Sequence, residues 1–151
     1  EVTSPGRLEI VRRSPTVLVD AAHNPAGIAA MAEAIRESFT FHRLVGVVAV
    51  LQEKDASSML ELLEPLLDHI VVSRSTSPRS IRPDRLGAMA VELFGEDRVT
   101  VVPDLPDALD IAAGLADEGS VSGAVLATGS ITTVADVRML LGADERGDAQ
   151  S

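Results

Sequence analysis

Five short apolar, β-branched runs alternate with five segments of helical spacing, and this alternation restricts the fold more than any single motif in the chain. The runs are TVLVDA (16–21), RLVGVVAVL (43–51), HIVVSR (69–74), RVTVVP (98–103) and GAVLATG (123–129); the helical segments are 26–38, 56–67, 83–94, 104–117 and 131–141. Runs this short and this continuous read as strands buried on both faces. Strand and helix in strict turn imply crossover connections and a mostly parallel sheet covered on both sides. A further run, RLEIVRR (7–13), alternates polar and apolar residues instead and reads as an antiparallel edge strand with one wet face. The expected architecture is therefore α/β: a Rossmann-like three-layer sandwich around a mostly parallel six-stranded sheet with one antiparallel edge strand. In such sheets ligands sit beyond the C-terminal ends of the strands.

A chain of 151 residues fills one domain. The reading divides it into a linker remnant at 1–5, the domain proper at 6–142 and a loose polar tail at 143–151. Aromatic residues make up only 2% of the chain, so the core must be aliphatic, with helices lying close on the sheet. No apolar run reaches the roughly 18 residues that a membrane span requires, and the chain opens without a leader-like segment. With no cysteine, these features lead to the expectation of a cytoplasmic protein without a disulfide framework or a thiolate metal site. A net charge of −10 works against binding to nucleic acid or to an anionic membrane. An anionic ligand must meet a local positive patch.

Four places can supply polar chemistry at the C-terminal strand ends. In VLVDAAHNPAG (17–27), Asn24 is a good N-cap and Pro25 suits the first helical position, but capping leaves Asp20 and His23 unexplained. His23 reads either as part of a site or as a loop histidine hydrogen-bonded locally. In LATGSITT (126–133), Gly129 permits a tight turn and Ser130 can cap the helix that follows. The loop SRSTSPRSIRPDR (73–85) gathers Arg74, Arg79, Arg82 and Arg85 against the single acid Asp84. Those guanidinium groups either fork onto a phosphate or carboxylate or pair with surrounding acids in a solvated loop. In LQEKDASSML (51–60), Asp55 is the expected N-cap and Lys54 is left to reach a ligand or water. The chain lacks a GxxxxGK[ST] loop, a GxGxxG turn and an HExxH pair, and its three histidines stand apart, so no metal site is expected within it.

The strings PGRLEIV (5–11), DAAHNPAG (20–27), LQEKDASSML (51–60), SRSTSPRS (73–80) and ATGSI (127–131), in this order and spacing, closely resemble the C-terminal domain of folylpolyglutamate synthase/dihydrofolate synthase. That family belongs to the Mur ligase superfamily, and the resemblance covers about residues 4–142. It implies an ATP-dependent ligase that activates a folate or pteroate carboxylate as an acyl phosphate for attack by the amine of L-glutamate. A larger N-terminal ATPase domain of the same polypeptide would carry the phosphate loop and the Mg²⁺ ligands, and this domain would close over it.

By resemblance, Arg7 reaches the ATP phosphates, and Asp20, His23 and Asn24 lie beside the nucleotide and the incoming amino acid. Asp20 would orient the ammonium and His23 would make a polar contact, as the catalytic pair. Ser130, Arg79 and Lys54 fall on the substrate side. The chain departs from many relatives at Glu53 and Thr132, where they carry an aspartate and an aromatic residue or histidine, so contacts borrowed through those positions do not transfer. The isolated domain is expected to be inactive. Two alternatives stay open: a freestanding non-catalytic module that binds a nucleotide or acidic metabolite, and a receiver-like signalling domain. The receiver reading lacks the lysine expected after the last strand.

Overall fold

The computed structural model describes residues 7–13, 15–118 and 122–150, with the backbone alone described over 143–150. The segment 1–5 and Ser151 lie outside the described residues. The strands are β1 (Glu9–Arg13), β2 (Thr16–Asp20), β3 (Arg43–Val48), β4 (His69–Val72), β5 (Val99–Val101) and β6 (Gly123–Thr128). The helices are α1 (Pro25–Ser38), α2 (Ala56–Leu63), α3 (Pro83–Phe94), α4 (Leu105–Ala116) and α5 (Ile131–Gln150). They form one six-stranded sheet in the order β1-β2-β6-β3-β4-β5. Every pairing is parallel except that of β1 with β2. The α/β three-layer architecture read from the sequence is the one observed, including the antiparallel edge strand.

Alternation along the strands divides the core in two. Leu18, Leu44, Val48, Ile70, Val72 and Leu126 face α1, α2 and α3, meeting Ile28, Met31, Met59, Leu60, Leu86 and Phe94. Val17, Val19, Val45, Val47, Val71 and Val125 point the other way, against Leu105, Ala108 and Ala112 of α4 and Val134 and Val137 of α5. Each fully buried aliphatic side chain contributes about 1.5–3 kcal/mol, which is why continuous apolar runs, with no polar face, are what this sheet needs.

Three boundaries differ from expectation. Helix α2 ends at Leu63 and not at 67, because Pro65 has no N–H to donate and its ring crowds the preceding turn. The carbonyls freed there are taken by Arg98, whose Nη2 donates to Glu64 O at 2.8 Å and Leu67 O at 2.7 Å. Arg98 itself sits in a single 3₁₀ turn, Glu96–Arg98, which shortens β5 from its N-terminal side. Helix α5 runs on past Gly142 to Gln150, through the segment read as a loose tail. Ala, Asp, Glu and Arg can continue a helix, and Gly142 and Gly147 within it cost only about 1 kcal/mol each. Among the described residues no helix is long and apolar enough to cross a membrane.

At the opposite end of the sheet from the strand C-termini, His69 shares a 2.7 Å hydrogen bond between Nε2 and Thr100 Oγ1. Burial holds its pKa below the ordinary 6.5, with Arg43 and Arg98 pushing the same way and Glu118 opposing. The unfolded chain therefore binds this proton more tightly than the folded one. Stability from His69 is complete above 6.5 and is lost as the pH falls from there through the folded value. Thermal melting followed between about pH 7 and 5 should show a falling midpoint that His69→Gln flattens. An equally steep decline in the variant would count against this account.

Candidate active site at the C-terminal edge of the sheet

The chain leaves β2 into α1 on one face of the sheet and leaves the neighbouring strand β6 into α5 on the other. Two adjacent strands that send their helices to opposite faces open a crevice between the helix starts, the usual ligand position in an open α/β sheet. An open crevice of about 690 Å³ begins here and runs along α1, lined by Arg7, Leu8, Asp20, His23, Asn24, α1 from Gly27 to Ser38, and Ile131.

Asp20 is the last residue of β2 and is only 6% exposed. Its Oδ1 accepts from Ala22 N at 2.9 Å and its Oδ2 accepts from Leu8 N at 3.0 Å. Its own carbonyl accepts from Thr128 Oγ1 at 2.7 Å, tying the end of β2 to the end of β6. Burial raises the carboxyl pKa above 3.8, while the two N–H bonds and the nearby Arg7 guanidinium pull it back. Leu8 is the one non-glycine residue with positive φ, +48°, among the described residues.

His23 is half-buried, and its Nδ1 lies 3.1 Å from Ala21 O. A carbonyl can only accept, so Nδ1 carries the proton and Nε2 remains for a second partner. The local hydrogen bond and the place on the crevice wall thus hold together. Asn24 caps α1 by accepting from Gly27 N at 2.8 Å, with Pro25 at the first helical position, as expected.

The other candidates fall elsewhere. Ser130 is 1% exposed and accepts from Thr133 N at 3.0 Å. Thr133 Oγ1 donates to Ala49 O at 3.1 Å, so the 2.7 Å contact between the two hydroxyls must have Ser130 as donor. The Ser130 hydroxyl is thereby committed to capping α5, and it is Ile131, 63% exposed, that reaches the crevice. Lys54 and Arg79 sit on a neighbouring rim that does not line the crevice. Their loops are joined by Gln52 N to Arg79 O at 2.8 Å and by Ile81 N to Val50 O at 2.8 Å. Arg79 is ion-paired with Glu53 at 3.1 Å, and Arg82 with Asp84 at 3.2 Å, so these two loop arginines are already partnered by acids. Lys54 is half-buried, and Asp55 caps α2 through Ser58 N; the Ser58 hydroxyl first, and that N–H second, lower the pKa of this exposed acid. Among the described residues no three His, Asp or Glu side chains come together to hold a metal ion.

This arrangement has relatives. The family model for the Mur ligase, glutamate ligase domain, matches residues 6–131. The chain belongs to the Mur ligase glutamate ligase domain family. Among curated relatives, the dihydrofolate synthase/folylpolyglutamate synthase of Mycobacterium tuberculosis is 44% identical over 95% of this chain and 31% of its own length. A solved structure of M. tuberculosis folylpolyglutamate synthase complexed with ADP and AMPPCP superposes with a TM-score of 0.89 at 45% identity, over 93% of this chain and 33% of that one. Escherichia coli FolC in complex with DHPP and ADP gives 0.79 at 27% identity, over 94% and 32%. The chain spans about a third of the length of the relatives it matches.

Two residues of this glutamate ligase domain that line or shape the crevice carried no role in the sequence reading. Leu8 has no sequence signal for a left-handed backbone, since leucine rarely adopts one. Ile131 did offer a signal: a large apolar residue directly after a cap, where a polar one would ordinarily face water.

Proposed function

We propose that this glutamate ligase domain is the C-terminal part of an ATP-dependent ligase that adds L-glutamate to folate, and to dihydropteroate as a further acceptor, through an acyl phosphate. The observation that carries the reading is the crevice at the β2/β6 junction, where Arg7 stands beside the buried Asp20 and His23. Bound ATP would supply the phosphoryl group that activates the acceptor carboxylate. The polar groups on this wall fit a nucleotide. Arg7 offers forked N–H groups to phosphate oxygens. His23 offers Nε2 as an acceptor for a nucleotide N–H or hydroxyl, and Asn24 keeps its amide NH₂ as a donor while its oxygen caps α1.

On the glutamate side, Lys54 supplies an ammonium suited to a substrate carboxylate, with no acid paired to it among the described residues, whereas Arg79 must first be drawn from Glu53. Ser130 serves that wall by holding the start of α5. The described residues do not fit a divalent ion, so the Mg²⁺ that accompanies ATP is assigned to an N-terminal ATPase domain of the same polypeptide, with which this domain would close in the cytoplasm.

The test joins this domain to the ATPase domain of its full-length protein and follows ADP release with a folate-type acceptor, with and without glutamate, beside the isolated domain. Glutamate-dependent release from the joined protein alone is the expected result. No release from either, with the ATPase domain folded and binding nucleotide, would replace the ligase reading with that of a non-catalytic binding module.

A further inference from the structure

Asp20 places two acceptor oxygens between two backbone N–H groups that approach from different parts of the chain. Ala22 lies two residues ahead in the turn after β2 and closes a local loop of the kind aspartate commonly makes. Leu8 lies twelve residues earlier, directly after Arg7, and holds φ at +48°, a conformation that leucine avoids without support. The backbone of Leu8 sets the direction in which Arg7 leaves the chain, and Arg7 lines the crevice.

We propose that Asp20 is the positioning residue for Arg7: its carboxylate holds the Leu8 N–H, fixes the left-handed turn, and so aims the guanidinium into the crevice. This rests on the reading of Arg7 as a phosphate contact. Only a carboxylate fills the place. An asparagine there has one accepting oxygen and would turn its NH₂ toward the other N–H.

The test compares, in the full-length enzyme, Asp20→Asn, Arg7→Ala and their combination, together with Leu8→Gly alone and with Asp20→Asn. Displacing a group by about 1 Å costs on the order of 100-fold in rate. Asp20→Asn should therefore lower kcat for glutamate-dependent ADP release by about 100-fold, leaving the KM for glutamate within about twofold and the melting temperature within a few degrees. The double variant should be no slower than Arg7→Ala, because Asp20 acts through the residue already removed. Leu8→Gly should recover about tenfold of the loss in Asp20→Asn, since glycine adopts positive φ without a brace. Leu8→Asn, which also tolerates that region, serves as the second rescue variant. Multiplicative losses in the double variant, or a raised glutamate KM with no rescue by either residue at position 8, would overturn the proposal and make Asp20 a direct ligand. Wild-type activity in Arg7→Ala would sink the reading of Arg7 and this inference with it.

Discussion

In the proposed full-length ligase, Arg7→Ala is expected to lower kcat for ADP release by roughly 1,000-fold, the scale seen when an arginine that stabilises charge on a transferring phosphoryl group is removed. Arg7 is exposed and has no hydrogen bond or ion pair among the described residues, so its loss costs the fold little. Its influence is electrostatic: the guanidinium pulls down the pKa of Asp20 against the larger effect of burial. Without it, the Asp20 carboxyl should take up its proton at a higher pH, an effect read in the titration of that group and not in the rate. Arg7→Lys restores the charge but not the fork of parallel N–H donors, so partial recovery is expected. Steady-state ADP release and thermal melting, measured on the same preparations, decide the matter. A rate within tenfold of the parent, or a large fall in melting temperature, would remove Arg7 from the phosphate-binding role.

The elements of the fold were legible because both faces of the sheet are covered. Val17 and Leu18 point in opposite directions and are both buried, and a strand of that kind shows itself as an unbroken apolar run. Capping was equally readable at Asn24 and Asp55, where the side chain bonds an N–H three residues on. Four residues singled out by the capping argument and the family resemblance, Arg7, Asp20, His23 and Asn24, line one wall of the crevice. What they do there was not readable, because their partners are distant along the chain. Asp20 meets Leu8, Arg79 meets Glu53, and Thr76 meets Asp136 from sixty residues away, through its N–H at 2.8 Å and its hydroxyl at 3.0 Å. Such pairings follow from strand order, and strand order places β6, the last strand, between β2 and β3. The hydroxyl of Ser130 illustrates the point: it stands at the expected place, yet Thr133, itself bonded to Ala49, claims it for the helix start.

That same helix start makes Gly129 the position where one methyl group should do the most damage to the fold. Gly129 leaves β6 with φ +119°, a region nearly closed to other residues, and a β-carbon there would fall on the carbonyl of Ala49. The obstacle is backbone at the end of β3, which cannot swing aside as a side chain would. Relief requires α5 to move away from β3, and that breaks the Thr133 to Ala49 hydrogen bond and with it the cap from Ser130. Strain, a lost buried hydrogen bond and a weakened cap together are expected to cost about 3 kcal/mol. For a domain of this size that lowers the melting midpoint by about 10 °C. Gly114 supplies the matched control. It lies exposed in α4, and a β-carbon at that position would meet nothing within 4 Å, so Gly114→Ala should leave stability unchanged or raise it by up to about 1 kcal/mol. Opposite signs in the two alanine variants, read by thermal or urea unfolding, are the expected result. A midpoint for Gly129→Ala within about 2 °C of the parent would mean that the α5 start can shift freely. Ile131 would then not form a fixed wall of the crevice, and the proposed ligase would have to tolerate its displacement.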